Sequence, residues 1–180
     1  MSYPEFQSQE VIFDQKWAGT IIKELYRLSD GRIFDFYRFH GCDCTSILVL
    51  TPENTCVLTT EYRYGVNDYM TSLCGGRVEE GESPRQAALR EMQEETGYTT
   101  QENDFLFLSE TYVSAGRGQN KRYTYLARNA YMDREQDLDP YESITVKHEP
   151  YNQVKEKIKA NVYQETGLHV AFLYYEVFCK

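Results

Sequence analysis

Apolar and polar positions alternate with a period near two over residues 33–39, IFDFYRF, which predicts a strand following the turn signal Ser29-Asp30-Gly31. Before that turn, residues 11–28 mix apolar and polar positions without a single clean period. Residues 46–50, SILVL, form a continuous apolar run of buried-strand length, and residues 56–63 form a second strand after the turn 51–54. The short turn predicts that these two strands pair antiparallel. Further strands are predicted over residues 105–113, 122–132 and 144–146, with a glycine-containing loop at 114–121. The polar, acidic stretch 133–141 reads as a mobile loop. Near the end, Val154, Ile158 and Val162 recur at i, i+4 and i+8, which predicts a helix with one inward face, and a second helix runs from Gly167 towards Phe178.

The best-signalled helix lies between those groups of strands. Ser83 is an N-cap, Pro84 fits the first helical position and Gln86 completes a capping box. Gly97 stands where a left-handed residue ends a helix, so the spacing predicts a helix over residues 84–96. Ala87, Ala88, Leu89 and Met92 supply its apolar face. At roughly 100° per residue, Glu95 lies about 40° round from Glu91 and Glu94 about 60° to the other side. Three carboxylates therefore share one face. Two readings stay open at this point: a solvated acidic face, or hard oxygen ligands for Mg²⁺ or Mn²⁺.

Composition narrows the class. The chain has 180 residues, 41% hydrophobic and 14% aromatic, enough for one ordinary α+β domain with its own core, or that domain plus an arm. A net charge of -9 argues against DNA and against an anionic membrane surface. The five cysteines form no C-x-x-C pair and no zinc spacing, so they read as reduced thiols, and a cytoplasmic location is expected. The start, MSYPEFQSQE, has no basic segment followed by an apolar run, so no signal peptide is expected.

The spacing settles the choice between the two readings of the acidic face. Gly76, five residues, Glu82, seven residues, then Arg90-Glu91-Met92-Gln93-Glu94-Glu95-Thr96-Gly97-Tyr98 resembles the Nudix hydrolase signature at every fixed position, with Tyr98 stretching the last, bulky apolar one. Weaker likeness over residues 15–178 points to the branch of ADP-ribose and nucleoside-diphosphate-sugar pyrophosphatases.

The resemblance implies an α/β/α sandwich with a mixed, largely antiparallel sheet. It also implies metal-dependent hydrolysis of a nucleoside diphosphate sugar to a nucleoside monophosphate and a sugar phosphate. It divides the chain into N-terminal strands or arm, residues 1–40, with a dimer contact, and a catalytic domain, residues 41–180, so a homodimer is expected. Glu91 and Glu95 become the main metal ligands, Glu94 a third ligand or supporting catalytic group, and the Gly75 carbonyl completes the site. Arg90 pairs with Glu82 to hold the loop against the helix. Arg38 and Arg63 become phosphate contacts, a role that suits a bidentate guanidinium. Arg117, with Lys121 and Arg122, stands in the loop that contacts phosphate or sugar or simply stays solvated. Glu142 is the matching general base, with Glu135, Asp137 and Asp139 as rivals in the same loop. Ala115 occupies the place where ADP-ribose enzymes of this branch carry proline, which leaves other nucleotide sugars open. Other substrates, such as a dinucleotide or an RNA 5′ end, and a sensor that binds without hydrolysis are the alternatives. The complete set of box carboxylates favours hydrolysis.

Overall fold

The computed structural model describes residues 3–16 and 18–179. Met1, Ser2, Trp17 and Lys180 lie outside them, so the outermost positions of the expected arm and catalytic domain do too. Two compact units emerge: one of residues up to Asp43 with Tyr112–Lys121, the other of Cys44–Thr111 with Arg122 onward.

In the first unit, β1 (Glu5–Gln15), β2 (Gly19–Arg27) and β3 (Ile33–His40) form an antiparallel meander in the order β1-β2-β3. The β2–β3 register runs unbroken from Thr20↔His40 to Arg27↔Ile33, as the Asp30-Gly31 turn predicts. The mixed stretch at residues 11–28 is resolved into the end of β1 and all of β2, and β1 shifts register between Phe6 and Ser8 and between Val11 and Phe13. Each shift moves side chains to the opposite face, so no simple period survives. Phe6, Val11, Ile12, Phe13, Ile33 and Tyr37 are exposed.

The second unit is built on a six-stranded sheet. Its strands are β4 (Cys44–Leu50), β5 (Thr55–Arg63), β6 (Asp68–Ser72), β8 (Phe105–Tyr112), β9 (Lys121–Ala127) and β11 (Thr145–Pro150). The order is β11-β5-β4-β9-β8, with β6 pairing β5. The β4–β5 pair is antiparallel as the short turn requires, whereas β4 and β9 run parallel from Cys44↔Arg122 to Val49↔Ala127, making the sheet mixed. Two further short strands, β7 (Tyr98–Thr99) and β10 (Tyr131–Met132), pair with each other. The expected single strand over 122–132 is therefore two, because Asn129 adopts a left-handed conformation between them (φ +50°).

Helices cover both faces. On one face α1 (Pro84–Thr96) packs Ala88 and Met92 on Ile47, Val49, Val57 and Tyr125. On the other, α2 (Tyr151–Lys159) and α3 (Thr166–Phe178) pack Tyr151, Val154, Leu168 and Phe172 on Leu48, Leu50, Leu58 and Leu126. Residues 47 to 50 alternate between these two cores, which is why SILVL reads as a continuous apolar run. The apolar burial of each such side chain stabilises by about 1.5–3 kcal/mol. Val162 does not join the face of α2 as the period predicts: the helix ends at Ala160, Asn161 turns left-handed (φ +56°), and Val162 is exposed. Among the described residues no helix is long and apolar enough to cross a membrane.

Candidate active site

Local chemistry fixes α1 at both ends, as the sequence predicts. The Ser83 hydroxyl accepts from the Gln86 N–H while the Gln86 side chain accepts from the Ser83 N–H, closing the capping box. Gly97 ends the helix at φ +74°, its N–H donating to the Gln93 carbonyl. A Cβ at Gly97 would strike the Arg134 backbone, so glycine answers both the dihedral and the crowding. With Ala88 and Met92 held on the sheet, the carboxylate face of α1 is directed at the loop before it.

Arg90 organises that face. Its Nε and one terminal nitrogen donate to the two Glu82 carboxylate oxygens at 3.1 Å each, and the same terminal nitrogen reaches the Arg77 carbonyl at 3.0 Å. The other terminal nitrogen donates to Glu91 and Glu94, both at 2.9 Å. Hydrogen bonding to Arg90 holds the Glu82 carboxyl below its ordinary range, and Glu82 in turn pushes the Arg90 guanidinium further up. This bidentate pair ties the loop 77–82 to the helix.

Glu95 is buried, at 6% exposure, and accepts a 2.8 Å hydrogen bond from the Gly75 N–H. Burial pushes its carboxyl up to about 8, against the Gly75 bond and with the charges of Glu91, Glu61 and Glu142 adding to the rise. Glu91 is raised for the same first reason, and the Arg90 charge opposes it. Gly75 adopts φ +142°, with Thr45 backbone where a Cβ would stand, and a Cβ at Gly76 would fall on the Glu91 carboxylate. The two glycines thus let the loop lie against Glu91 and Glu95, and the Thr45 N–H fixes the Gly76 carbonyl at 2.8 Å.

Because Glu91 and Glu94 turn to the guanidinium, no three Asp, Glu, His or Cys groups among the described residues are drawn into a closed cage. The donor set still fits a hard divalent cation. Glu91 and Glu95 offer carboxylate oxygens one turn apart beside a cradle that a Cβ at Gly76 would fill, and burial desolvates both. A shallow groove of about 290 Å³ lies over Glu79–Glu82, Gln86 and Arg90, on the ion-pair side of this cradle.

The other predicted residues separate by unit. Glu142 stands in the loop before β11, its N–H donating to the Asp139 carbonyl at 2.9 Å and its carboxylate accepting from the Asp139 N–H at 3.2 Å. Its charge is felt at both Glu91 and Glu95, so it belongs with the carboxylate group. Arg63 ends β5 in a 2.5 Å ion pair with Glu61. Sequence reasoning passed over Glu61, although the two-residue alternation from the buried Val57 through Thr59 places it on the α1 face. Arg38 and Arg117 belong to the N-terminal unit. There Arg38 makes a 2.6 Å ion pair with the buried Glu24, and the Arg117 carbonyl accepts from the Phe39 N–H at 2.7 Å. The acidic loop departs from the mobile segment its composition suggests. Asp133 and Arg134 donate backbone N–H groups to the Gly97 carbonyl, and the Asp137 N–H donates to that of Glu94. The Gln136 side chain, unremarked in the sequence, reaches the Glu95 carbonyl at 2.6 Å.

Known proteins are similar to this chain in sequence and in fold. A methanol dehydrogenase activator of Bacillus methanolicus is 25% identical over 179 residues, 86% of this chain and 97% of its own. An ADP-ribose pyrophosphatase of Bacillus subtilis (strain 168) is 28% identical over 140 residues, 77% of this chain and 74% of its own. An ADP-sugar pyrophosphatase of Mus musculus is 43% identical over 102 residues, 51% of this chain and 46% of its own. A crystal structure of an ADP compounds hydrolase superposes with a TM-score of 0.82 over 98% of this chain and 94% of that one, at 19% identity, a likeness of fold. The NUDIX domain model matches residues 43–169, and with the signature complete from Gly76 to Gly97 this chain belongs to the Nudix family.

Proposed function

We propose that this protein hydrolyses the pyrophosphate bond of a nucleoside diphosphate sugar, ADP-ribose or a hexose nucleotide, with Mg²⁺ or Mn²⁺ as cofactor. The observation that carries the reading is the buried carboxylate of Glu95, pushed up to about 8 one turn from Glu91 and packed on the Gly75-Gly76 loop. Two relatives named as pyrophosphatases of ADP-ribose and of ADP-sugars support the substrate class.

In this reading Glu91 and Glu95 hold the cation with the Gly75 carbonyl, and Glu94 supports them. When bound, the cation supplies positive charge for the pyrophosphate oxygens and acidity for water. Arg90, fixed by Glu82, holds the loop against the helix and balances the charge of Glu91 and Glu94. Arg63 contacts a phosphate, and Arg38 and Arg117 are assigned the same task from the N-terminal unit. Glu142 takes a proton from the water that attacks phosphorus. The new P–O bond forms as the bridging P–O bond breaks, and the bridging oxygen leaves with the second phosphate. The products are a nucleoside monophosphate and a sugar phosphate.

The proposal extends to a homodimer formed through the N-terminal sheet, supported by the exposed Phe6, Val11, Ile12, Phe13 and Ile33. A cytoplasmic setting is supported by the cysteine pattern, five residues with no C-x-x-C pair and no zinc spacing. Light scattering behind a sizing column tests the dimer; a monomer mass across the micromolar range would refute it. A second reading, activation of a dehydrogenase, draws on the relative of that name, and is tested by assaying a methanol dehydrogenase with and without this protein.

The deciding experiment is phosphatase-coupled release of phosphate from a panel of nucleotide sugars, dinucleotides and capped RNA, with Mg²⁺ and with chelator. Metal-dependent cleavage of ADP-ribose or a hexose nucleotide is the expected result. Ligand binding without turnover on any member would instead favour a sensor.

A further inference from the structure

The last four carbonyls of a helix lack donors within it. At the end of α1 the acidic loop supplies two of them: Asp137 N–H to Glu94 at 2.9 Å, and the Gln136 side-chain amide to Glu95 at 2.6 Å. The same Gln136 nitrogen also reaches the Ile144 carbonyl at 3.3 Å. Ile144 lies two residues past Glu142 and is itself buried. One amide therefore fastens both ends of the segment 136–144, one to the backbone of Glu95 and the other to the chain just past Glu142. Inside that closed segment, Glu142 and Asp139 bond reciprocally, so little slack remains between the tether and the Glu142 carboxylate.

We infer that Gln136 is a positioning residue, which sets where Glu142 stands relative to the carboxylates of α1. This rests on the reading of Glu142 as general base. Gln136 touches neither substrate nor reacting atoms; it acts by geometry. A displacement of about 1 Å in a reacting group is enough to cost up to about 100-fold in rate. The Glu142 side chain is exposed and is held by the Asp139 N–H, so its aim depends on how this stretch of backbone is held. The rival carboxylates Glu135 and Asp137 flank Gln136 in sequence, on the same segment but outside its closed part or at its start.

The test is a cycle on full-length protein turning over ADP-ribose with Mg²⁺, using Gln136→Met, Glu142→Gln and the double variant. Methionine keeps the length of the side chain and removes its donors. The expected result is a kcat about 10-fold or more lower for Gln136→Met with KM unchanged within about twofold, and no further loss when the change is made on Glu142→Gln. Amide hydrogen exchange without metal is the second readout: the Asp137 and Glu142 amides should exchange faster in Gln136→Met, while those in the middle of α1 do not. If Glu142→Gln is impaired but Gln136→Met keeps wild-type kcat, or loses the same factor in both backgrounds, the inference is overturned. If Glu142→Gln alone keeps wild-type kcat, the base assignment fails, and the inference fails with it. Should Gln136→Met not fold, Gln136→Asn, one methylene short, stands in and faces the same criteria.

Discussion

Glu95 on α1 and Glu149 on β11 are the same residue type in the same unit, the first buried and the second half-buried, and their chemistry diverges. Burial pushes both carboxyls up. At Glu149 hydrogen bonds from Lys157 at 2.7 Å and from the Tyr163 hydroxyl at 2.6 Å, with the Lys157 and Lys147 charges, outweigh burial and hold the group below its ordinary value. At Glu95 the Gly75 N–H donates a hydrogen bond, but burial and the charges of Glu91, Glu61 and Glu142 outweigh it, and the carboxyl rises to about 8. A half-buried carboxylate that the chain equips with its own cation, as Lys157 is for Glu149, is a structural brace. A buried one left among other carboxylates is the arrangement on which the proposed metal site rests.

The largest effect that contrast predicts is on turnover. Glu95→Gln should lower kcat by at least about 100-fold, while the metal-free variant melts at or above the wild-type temperature, because the unfolded chain no longer gains by ionising this carboxyl at neutral pH. Full activity in steady-state assays would end the metal-site reading. Next in size is proton linkage. On the proposed role of Glu95 as a ligand, binding of Mg²⁺ displaces the proton on its raised carboxyl, so affinity should fall about tenfold per pH unit below about 8, and calorimetry in two buffers should count close to one proton released.

The stability of metal-free protein should separate the two carboxylates by sign. Glu95, raised in the fold, contributes stability that is present below its unfolded value of about 4.5 and is lost as pH rises towards 8. Glu149, lowered, contributes stability that is present above its unfolded value and is lost as pH falls. Thermal melts from pH 4 to 9 should therefore show the alkaline decline vanish in Glu95→Gln and the acid decline shrink in Glu149→Gln. Glu149→Gln should itself cost about 1–2 kcal/mol in denaturant unfolding, discounted for the part-exposed Lys157, with kcat within about twofold of wild type. The smallest effect belongs to the cap: Ser83→Ala should cost about 1 kcal/mol and leave the metal site intact.

What the sequence disclosed follows the same division between local and distant causes. The limits of α1 were legible because caps act within one turn: Ser83, Pro84, Gln86 and Gly97 each bond or clash with near neighbours. The carboxylate face was legible for the same reason. The β1 strand was hidden by two register shifts, and the end of α2 by a single left-handed asparagine that no period anticipates. Glu61 and Gln136 were hidden because their significance lies across the chain. Glu61 counts only once β5 lies beneath α1, and Gln136 only once residues 133–137 return to the end of that helix.

The parallel pairing of β4 with β9 has a consequence for the order in which the molecule comes into being. Leu50 ends β4 and Lys121 begins β9, so the whole of α1 is synthesised inside the crossover between two strands that must become neighbours. Glu91, Glu94 and Glu95 therefore leave the ribosome before the sheet can close alongside the strand that α1 packs on. A chain halted near residue 110 would carry every box carboxylate, with β4 still lacking its parallel partner. Closing so distant a pair is entropically slow, and until it closes the apolar face of α1 rests on an unfinished floor.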